Sequence, residues 1–155
     1  MVCMGNICRS PMAEGVARAL AKEQGLAAAV EFDSAGTHSY HVGEPPDERA
    51  CQAAEKRGYS LVDLRARKVS REDFSRFDLL LAADRQNLEA LRRFCPDEAL
   101  LGKVRLMLDF AEGLESAEIP DPYYGNRAGF ERVLELCEQA ALGLLEHIRR
   151  VEGIR

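Results

Sequence analysis

The clearest apolar periodicity lies at the end of the chain. Phe130, Val133, Leu134, Cys137, Ala141, Leu144, Leu145 and Ile148 keep helical spacing, which predicts one long amphipathic helix. Near the start, Met12, Val16 and Leu20 mark one face of a second helix that also takes in Ala19 and Glu23. Ser10 is a good N-cap, Pro11 suits the first helical position and Gly25 suits the C-terminal cap. Val30 and Phe32 then alternate with polar neighbours, predicting a short strand that ends in Ser34-Ala35-Gly36. Thr37 to Pro46 reads as loop. Asp47 opens a helix with Ala50, Ala53 and Ala54 on one side and Gly58 at its close. Leu61 to Lys68 is irregular, and Ser70 with Asp73 opens a short helical turn. Leu79 to Ala83 is an unbroken apolar run, as expected of a strand buried on both faces. Asp84 caps a helix through Leu88 and Leu91, with Pro96 beyond its end. Val104, Leu106 and Leu108 alternate as another strand, and 109–129 is mostly loop, of a length that usually carries function.

Strands alternate with helices, so the pattern predicts an α/β domain with a parallel sheet and right-handed crossovers. No repeat or linker divides the 155 residues, and the whole of 1–155 is expected to form one domain. The apolar content of 46% supports a globular chain. A net charge of -5 argues against nucleic acid as a partner, and Arg65, Arg67 and Lys68 read as solvated surface. No apolar run approaches the about 18 residues that span a bilayer, and no signal peptide precedes Cys3, so no membrane insertion and a cytoplasmic location are expected. Five cysteines, spread along the chain, do not suggest a disulfide scaffold. Cys51, Cys95 and Cys137 suit core or boundary positions.

Cys3 and Cys8 differ from the rest because one short stretch, CMGNICRSP, holds both. Arg9 follows Cys3 after five residues. Gly5 and Asn6 tolerate the left-handed backbone that turns successive N–H groups inward as an anion-binding nest. A helix beginning just after them would aim its free N–H groups and positive dipole end at the same anion. Arg9 adds a fork of donors for two phosphate oxygens. These groups together favour the thiolate of Cys3, which reads as a nucleophile in a phosphate-shaped cup.

CMGNICRSPMAE resembles the signature of the low-molecular-weight protein tyrosine phosphatases. DSAGT at 33–37, GEPPDERA at 43–50 and DPYYGN at 121–126 extend the likeness in order along nearly the whole chain. The resemblance implies a four-stranded parallel sheet flanked by helices, with the phosphate loop at the carboxyl end of the first strand. It implies hydrolysis of phosphotyrosine and small aryl phosphates through a cysteinyl phosphate. Cys3 would be nucleophile, Arg9 the phosphate clamp, and Asp121 the acid that protonates the leaving group and later the base that activates water. Met4, Gly5, Asn6, Ile7, Cys8 and Ser10 would line the phosphate site, with Asn6 holding the strained turn and Ser10 hydrogen-bonding the thiol. Ser34 would belong to the hydrogen-bond network beneath the loop. Tyr123 and Tyr124 suit an aryl group, since ring pairs contribute about 0.5 to 1.5 kcal/mol beyond burial, and Tyr40 resembles the family's variable aromatic wall. Many members carry histidine where Leu64 stands here, so the support of Asn6 is expected to differ. Asp84 and Asn87 match family positions but read first as helix cap and first-turn residue.

Pro120 and Pro122 restrict the backbone on both sides of Asp121. Because thiolate and carboxylic acid must coexist, the rate should follow a bell-shaped pH profile with its optimum on the acid side of neutral. Cys8, in the same curled loop, is expected to act as redox partner by capturing an oxidised Cys3. His38 and His41 could suggest a metal with Cys3 and Cys8, but their spacing is too tight for a finger and the intervening gap too long, so neither metal nor other cofactor is expected. Three other functions compete. A phosphoarginine phosphatase of this fold resembles the same motif with threonine at Ile7. A thiol-dependent arsenate reductase needs further relay cysteines downstream, where Cys95 stands alone. A phosphotyrosine-binding module without turnover has no need of Asp121. The expected partner is a phosphotyrosine-bearing protein, a tyrosine kinase among the candidates, and the expected state is a monomer or weak dimer. Finally, a strand of about five or six residues should precede a phosphate loop, yet Met1 and Val2 alone stand before Cys3. A short apolar segment is therefore expected upstream, and an extended chain should be more soluble, more stable and more active.

Overall fold

The computed structural model describes residues 1–114 and 116–154. Four parallel strands form its centre: β1 (Val2–Cys3), β2 (Ala35–Gly36), β3 (Leu80–Ala82) and β4 (Val104–Leu106), in the spatial order β2-β1-β3-β4. Val2 pairs with both Ala35 and Ala82, and Leu80 to Ala82 pair with Val104 to Leu106. Side chains alternate between two cores. Val2, Leu80, Ala82, Val104 and Leu106 enter one, while Cys3, Leu81 and Ala83 enter the other. A strand covered on both faces has no polar side, which is why the run Leu79 to Ala83 is unbroken. Each leucine buried there contributes about 1.5 to 3 kcal/mol.

Helices α1 (Arg9–Glu23), α2 (Glu48–Lys56) and α5 (Arg127–Glu152) cover the Cys3 face, and α3 (Asp73–Arg76) with α4 (Arg85–Phe94) covers the other. α5 buries Phe130, Val133, Leu134, Cys137, Ala141, Leu144 and Leu145, the stripe that its periodicity predicts. At Gly143 the helix passes against the Phe110 carbonyl, where a Cβ would stand 1.7 Å from the oxygen. Asp47 and Asp84 cap α2 and α4 as expected, accepting from the N–H groups of Arg49 and Asn87 at 2.8 Å each.

Several boundaries differ from expectation. The first helix begins at Arg9 with Cys8 as N-cap, and Ser10 lies inside its first turn because its hydroxyl is engaged elsewhere. β2 starts at Ala35, not Val30. Val2 and Cys3 pair with Ala35 and Gly36, and bonds from the Met1 nitrogen to Asp33 O and from Ala35 N–H to Met1 O, 3.0 Å each, continue that contact. Residues 30–32 line a cavity of about 900 Å³ whose wall includes Met1, Phe77, Leu79, Leu144 and Ile148. β4 stops at Leu106, since Asp109 Oδ2 accepts the Leu106 N–H at 3.1 Å and closes a 3-10 turn over Met107–Phe110 that takes in Leu108. A second 3-10 helix, Glu98–Lys103, had no signal in the pattern. β1 holds the expected central place with two residues.

Candidate active site

The stretch from Met4 to Cys8 turns at the carboxyl end of β1 and delivers the chain into α1. Asn6 has φ 58°, the left-handed conformation that glycine and asparagine tolerate best. Its side chain is tied at both ends. The amide nitrogen donates to Ser10 Oγ at 2.7 Å and Ser34 Oγ at 2.9 Å, and the amide oxygen accepts the Arg67 N–H at 3.0 Å. Leu64 packs at the edge of the core, so the support of Asn6 comes from Ser34 and the backbone of Arg67. Gly5 is not in the left-handed region, contrary to expectation; its small size matters because a Cβ would lie 3.0 Å from His41 Cδ2. Among the described residues, the N–H groups of Gly5, Asn6, Ile7 and Cys8 find no acceptor, and Cys8 offers no side-chain cap to α1. A helix start left uncapped beside a row of free N–H donors is an anion site.

Cys3 lies beneath this row, buried, with its Sγ 3.0 Å from Ser10 Oγ. The Ser10 hydroxyl accepts from Asn6, and its own proton has two acceptors in reach, the Cys3 sulfur at 3.0 Å and the Ala35 carbonyl at 3.5 Å; directed at sulfur, it would stabilise a thiolate. The same reasoning extends outward. Ser34 accepts from Asn6 and donates to Glu14 Oε1 at 2.6 Å, while Glu14 Oε2 pairs with Arg18 at 2.6 Å. Glu14 is 2% exposed, and burial pushes its carboxyl up despite the pull of Ser34 and Arg18. An ordered line of hydrogen bonds thus joins Cys3 to a buried carboxylate on α1.

Arg9 is 2% exposed and is aimed by two acceptors, Asp84 Oδ2 at 2.6 Å and the Ile119 carbonyl at 3.0 Å, both reached by Nη1. Burial would lower its affinity for a proton, but the negative charges of Cys3, Asp84 and Asp121 raise it, so the guanidinium stays charged. Asp84 therefore does two jobs, capping α4 through Oδ1 and holding Arg9 through Oδ2. Asp121 Oδ2 lies 3.6 Å from Arg9 Nη2, and its Oδ1 accepts the Tyr123 N–H at 3.0 Å. Its carboxyl is half-exposed at the mouth.

The 37–47 loop wraps the cup through three bonds: Thr37 N–H to Cys3 O at 2.9 Å, His38 N–H to Met4 O at 3.0 Å and Asp47 N–H to Ile7 O at 2.8 Å. Tyr40 rides on it, exposed and stacked on His38, and His41 pairs with Glu44 at 2.7 Å. Tyr123 and Tyr124 meet edge to face, both exposed, the second at 95%. The fold thus gathers Cys3, Asn6, Arg9, Ser10, Ser34 and Asp121 into one connected cluster and leaves Tyr40 and Tyr124 as rim. Cys137 is buried in the core, with its thiol pushed up to about 12 by burial, and Cys51 and Cys95 are half-buried. Sequence reasoning missed Glu14, Arg18 and Arg49, and although it matched Asp84 to a family position it read that residue first as a helix cap. Its position directly after a buried strand, at the edge where ligands bind in α/β sheets, was the available signal.

A family model described as low molecular weight phosphotyrosine protein phosphatase matches residues 1–152. A low molecular weight protein-tyrosine-phosphatase of Streptomyces coelicolor is 48% identical over 155 residues, covering 98% of this chain and 94% of the relative. Among solved structures, a protein tyrosine phosphatase of Entamoeba histolytica with HEPES in its active site is similar with a TM-score of 0.91 at 40% identity, covering 98% of this chain and 95% of that one. YfkJ of Bacillus subtilis has a TM-score of 0.91 at 37% identity, covering 97% of this chain and 93% of that one.

Proposed function

The chain belongs to the low molecular weight phosphotyrosine protein phosphatase family and is a protein-tyrosine phosphatase, and from that premise we propose how its own residues divide the work. The Cys3 thiolate attacks phosphorus while the bond to the aryl oxygen breaks. Asp121, as carboxylic acid, gives its proton to the departing phenolate. Water then attacks the cysteinyl phosphate, losing a proton to the Asp121 carboxylate, and releases inorganic phosphate and the Cys3 thiolate. The free N–H groups of residues 5–8 and the guanidinium of Arg9 hold the equatorial oxygens, where charge is stabilised with little reorganisation. Ser10 keeps its hydroxyl proton on sulfur in the resting and leaving states. Tyr123 and, at the rim, Tyr40 and Tyr124 receive the aryl ring. Residues 1–155 work as one catalytic domain without metal. The substrate is a phosphotyrosine-bearing protein, a tyrosine kinase among the candidates, in the cytoplasm, and Cys8 is the redox partner of Cys3.

The observation that carries this reading is the convergence of the Cys3 sulfur, an aimed Arg9 and the Asp121 carboxyl on one loop of unpaired N–H donors. Its test compares nitrophenyl phosphate with phenyl phosphate, whose leaving group is poorer. Cys3→Ser is expected to abolish turnover while still binding phosphate or vanadate. Asp121→Asn is expected to slow phenyl phosphate strongly and the activated ester less. Full activity in Cys3→Ser, or equal losses on both esters in Asp121→Asn, would overturn the assignment.

A further inference from the structure

Arg49 has no place in the chemistry above, yet its contacts span the two halves of the site. Asp47, whose N–H donates to the Ile7 carbonyl of the phosphate loop at 2.8 Å, also grips Arg49. Its Oδ1 accepts from Arg49 Nε at 3.1 Å and its Oδ2 from Nη2 at 3.0 Å. The far side of the guanidinium then donates to the Tyr123 carbonyl from Nη2 at 2.9 Å and to the Gly125 carbonyl from Nη1 at 3.5 Å. Its Cζ lies over the Phe130 ring at the start of α5, 4.7 Å from the centroid, and 5.6 Å from the centroid of Tyr123. Among the described residues, Arg9 and Arg49 supply the side-chain hydrogen bonds and ion pairs that tie 120–125 to the rest of the protein. The Arg9 contact is the longer, at 3.6 Å.

We propose that Arg49 is a positioning residue that clamps the Tyr123–Gly125 turn to the phosphate loop and so sets the distance of the Asp121 carboxyl from the leaving-group oxygen. The proposal rests on the reading of Asp121 as acid. The chain of contacts is short: Ile7 to Asp47, Asp47 to Arg49, Arg49 to Tyr123, and the Tyr123 N–H to Asp121 Oδ1 at 3.0 Å. A planar fork is required because one group must face a carboxylate on one side and two carbonyls on the other while stacking on a ring. Lysine, a compact point charge, cannot do all three. Misplacing an acid by about an ångström costs rate on poor leaving groups while leaving the anion cup intact.

The experiment measures kcat/KM of Arg49→Met and Arg49→Lys on phenyl phosphate and nitrophenyl phosphate, with inhibition by inorganic phosphate as a probe of the cup. Arg49→Met is expected to lose about tenfold or more on phenyl phosphate and under about threefold on the nitrophenyl ester, with phosphate inhibition unchanged. Arg49→Lys should recover little of the loss. Combined with Asp121→Asn, either substitution should add nothing further, since the misplaced group is already gone. Equal losses on both esters, weakened phosphate inhibition, full recovery in Arg49→Lys or additive losses in the double variant would each overturn the clamp. If Asp121→Asn itself lacks leaving-group dependence, the acid assignment fails and takes the clamp with it. If Asp121→Asn shows that dependence and Arg49→Met does not, the clamp alone is wrong.

Discussion

Replacing Asp84 by asparagine tests how far Arg9 depends on a single counter-charge. The side chains of Arg9 and Asp84 are 3% and 18% exposed, and their closest atoms are 2.6 Å apart. At that distance, with an effective dielectric constant of about 20, Coulomb attraction is about 6 kcal/mol before desolvation is subtracted. Removing one partner of a buried pair commonly costs about 3 to 5 kcal/mol, because the other charge is stranded. Asparagine has one oxygen for the two donors that Asp84 serves, so either the cap on the Asn87 N–H or the bond to Arg9 Nη1 is lost, while the Ile119 carbonyl at 3.0 Å remains, and about 3 kcal/mol is expected. In a domain of this size that lowers Tm by about 6 to 12 °C. Phosphate makes the prediction specific. A dianion seated in the cup supplies the counter-charge that Asp84 gave, so saturating phosphate should more than halve the gap between Asp84→Asn and the parent in thermal unfolding. A loss under about 2 °C, or a gap that phosphate leaves unchanged, would refute the reasoning.

Cys8 is buried in the same loop as Cys3, and burial, followed by the charges of Asp47, Cys3 and Asp121, pushes its thiol up, so it waits as SH. Peroxide should oxidise the Cys3 thiolate to sulfenic acid, which condenses with the Cys8 thiol to a disulfide with loss of water; dithiothreitol should then restore activity in the parent and fail in Cys8→Ser, and equal recovery in both would remove the idea. For Asp47, burial alone would raise the carboxyl, but hydrogen bonds from the Arg49 guanidinium and the backbone N–H groups of Arg49 and Ala50 hold it below the usual carboxylate range. The unfolded chain takes up that proton first as pH falls, so the stabilisation is present above about pH 4 and is lost as pH drops through the folded value. Urea midpoints of Asp47→Asn should therefore fall less steeply than the parent's below about pH 4 and run parallel to them above it; identical acid limbs would show that the carboxylate is not held.

The cup was legible because it is one contiguous segment. A row of N–H donors, a helix start and an arginine arise from the local order of residues 3–11, and so does the left-handed Asn6. The buried strand Leu79 to Ala83 and the stripe of α5 were legible for a similar reason, since period alone states which faces are covered. The local code misled where a side chain found a distant use. Ser10 looks like a cap, but tertiary structure spends its hydroxyl on Cys3 and Asn6. Residues 30–32 alternate like a strand, yet the strand bonds of β2 are made by Ala35–Gly36, since alternation marks a face and does not by itself fix which residues pair.

What the chain by itself determined about this protein is its α/β order, the anion cup and the nucleophile within it, because each depends on neighbours in sequence. Asp121 was visible only through family likeness, since Pro-Asp-Pro alone is a common rigid turn. The fold decided the rest by contacts across long separations: Asp84 reaching Arg9 from 75 residues away, Asn6 held from Ser34 and Arg67, and Arg49 crossing 74 residues to Tyr123. Directional polar contacts of that kind leave no periodic trace, so only the packed sheet and its helices bring them within bonding distance.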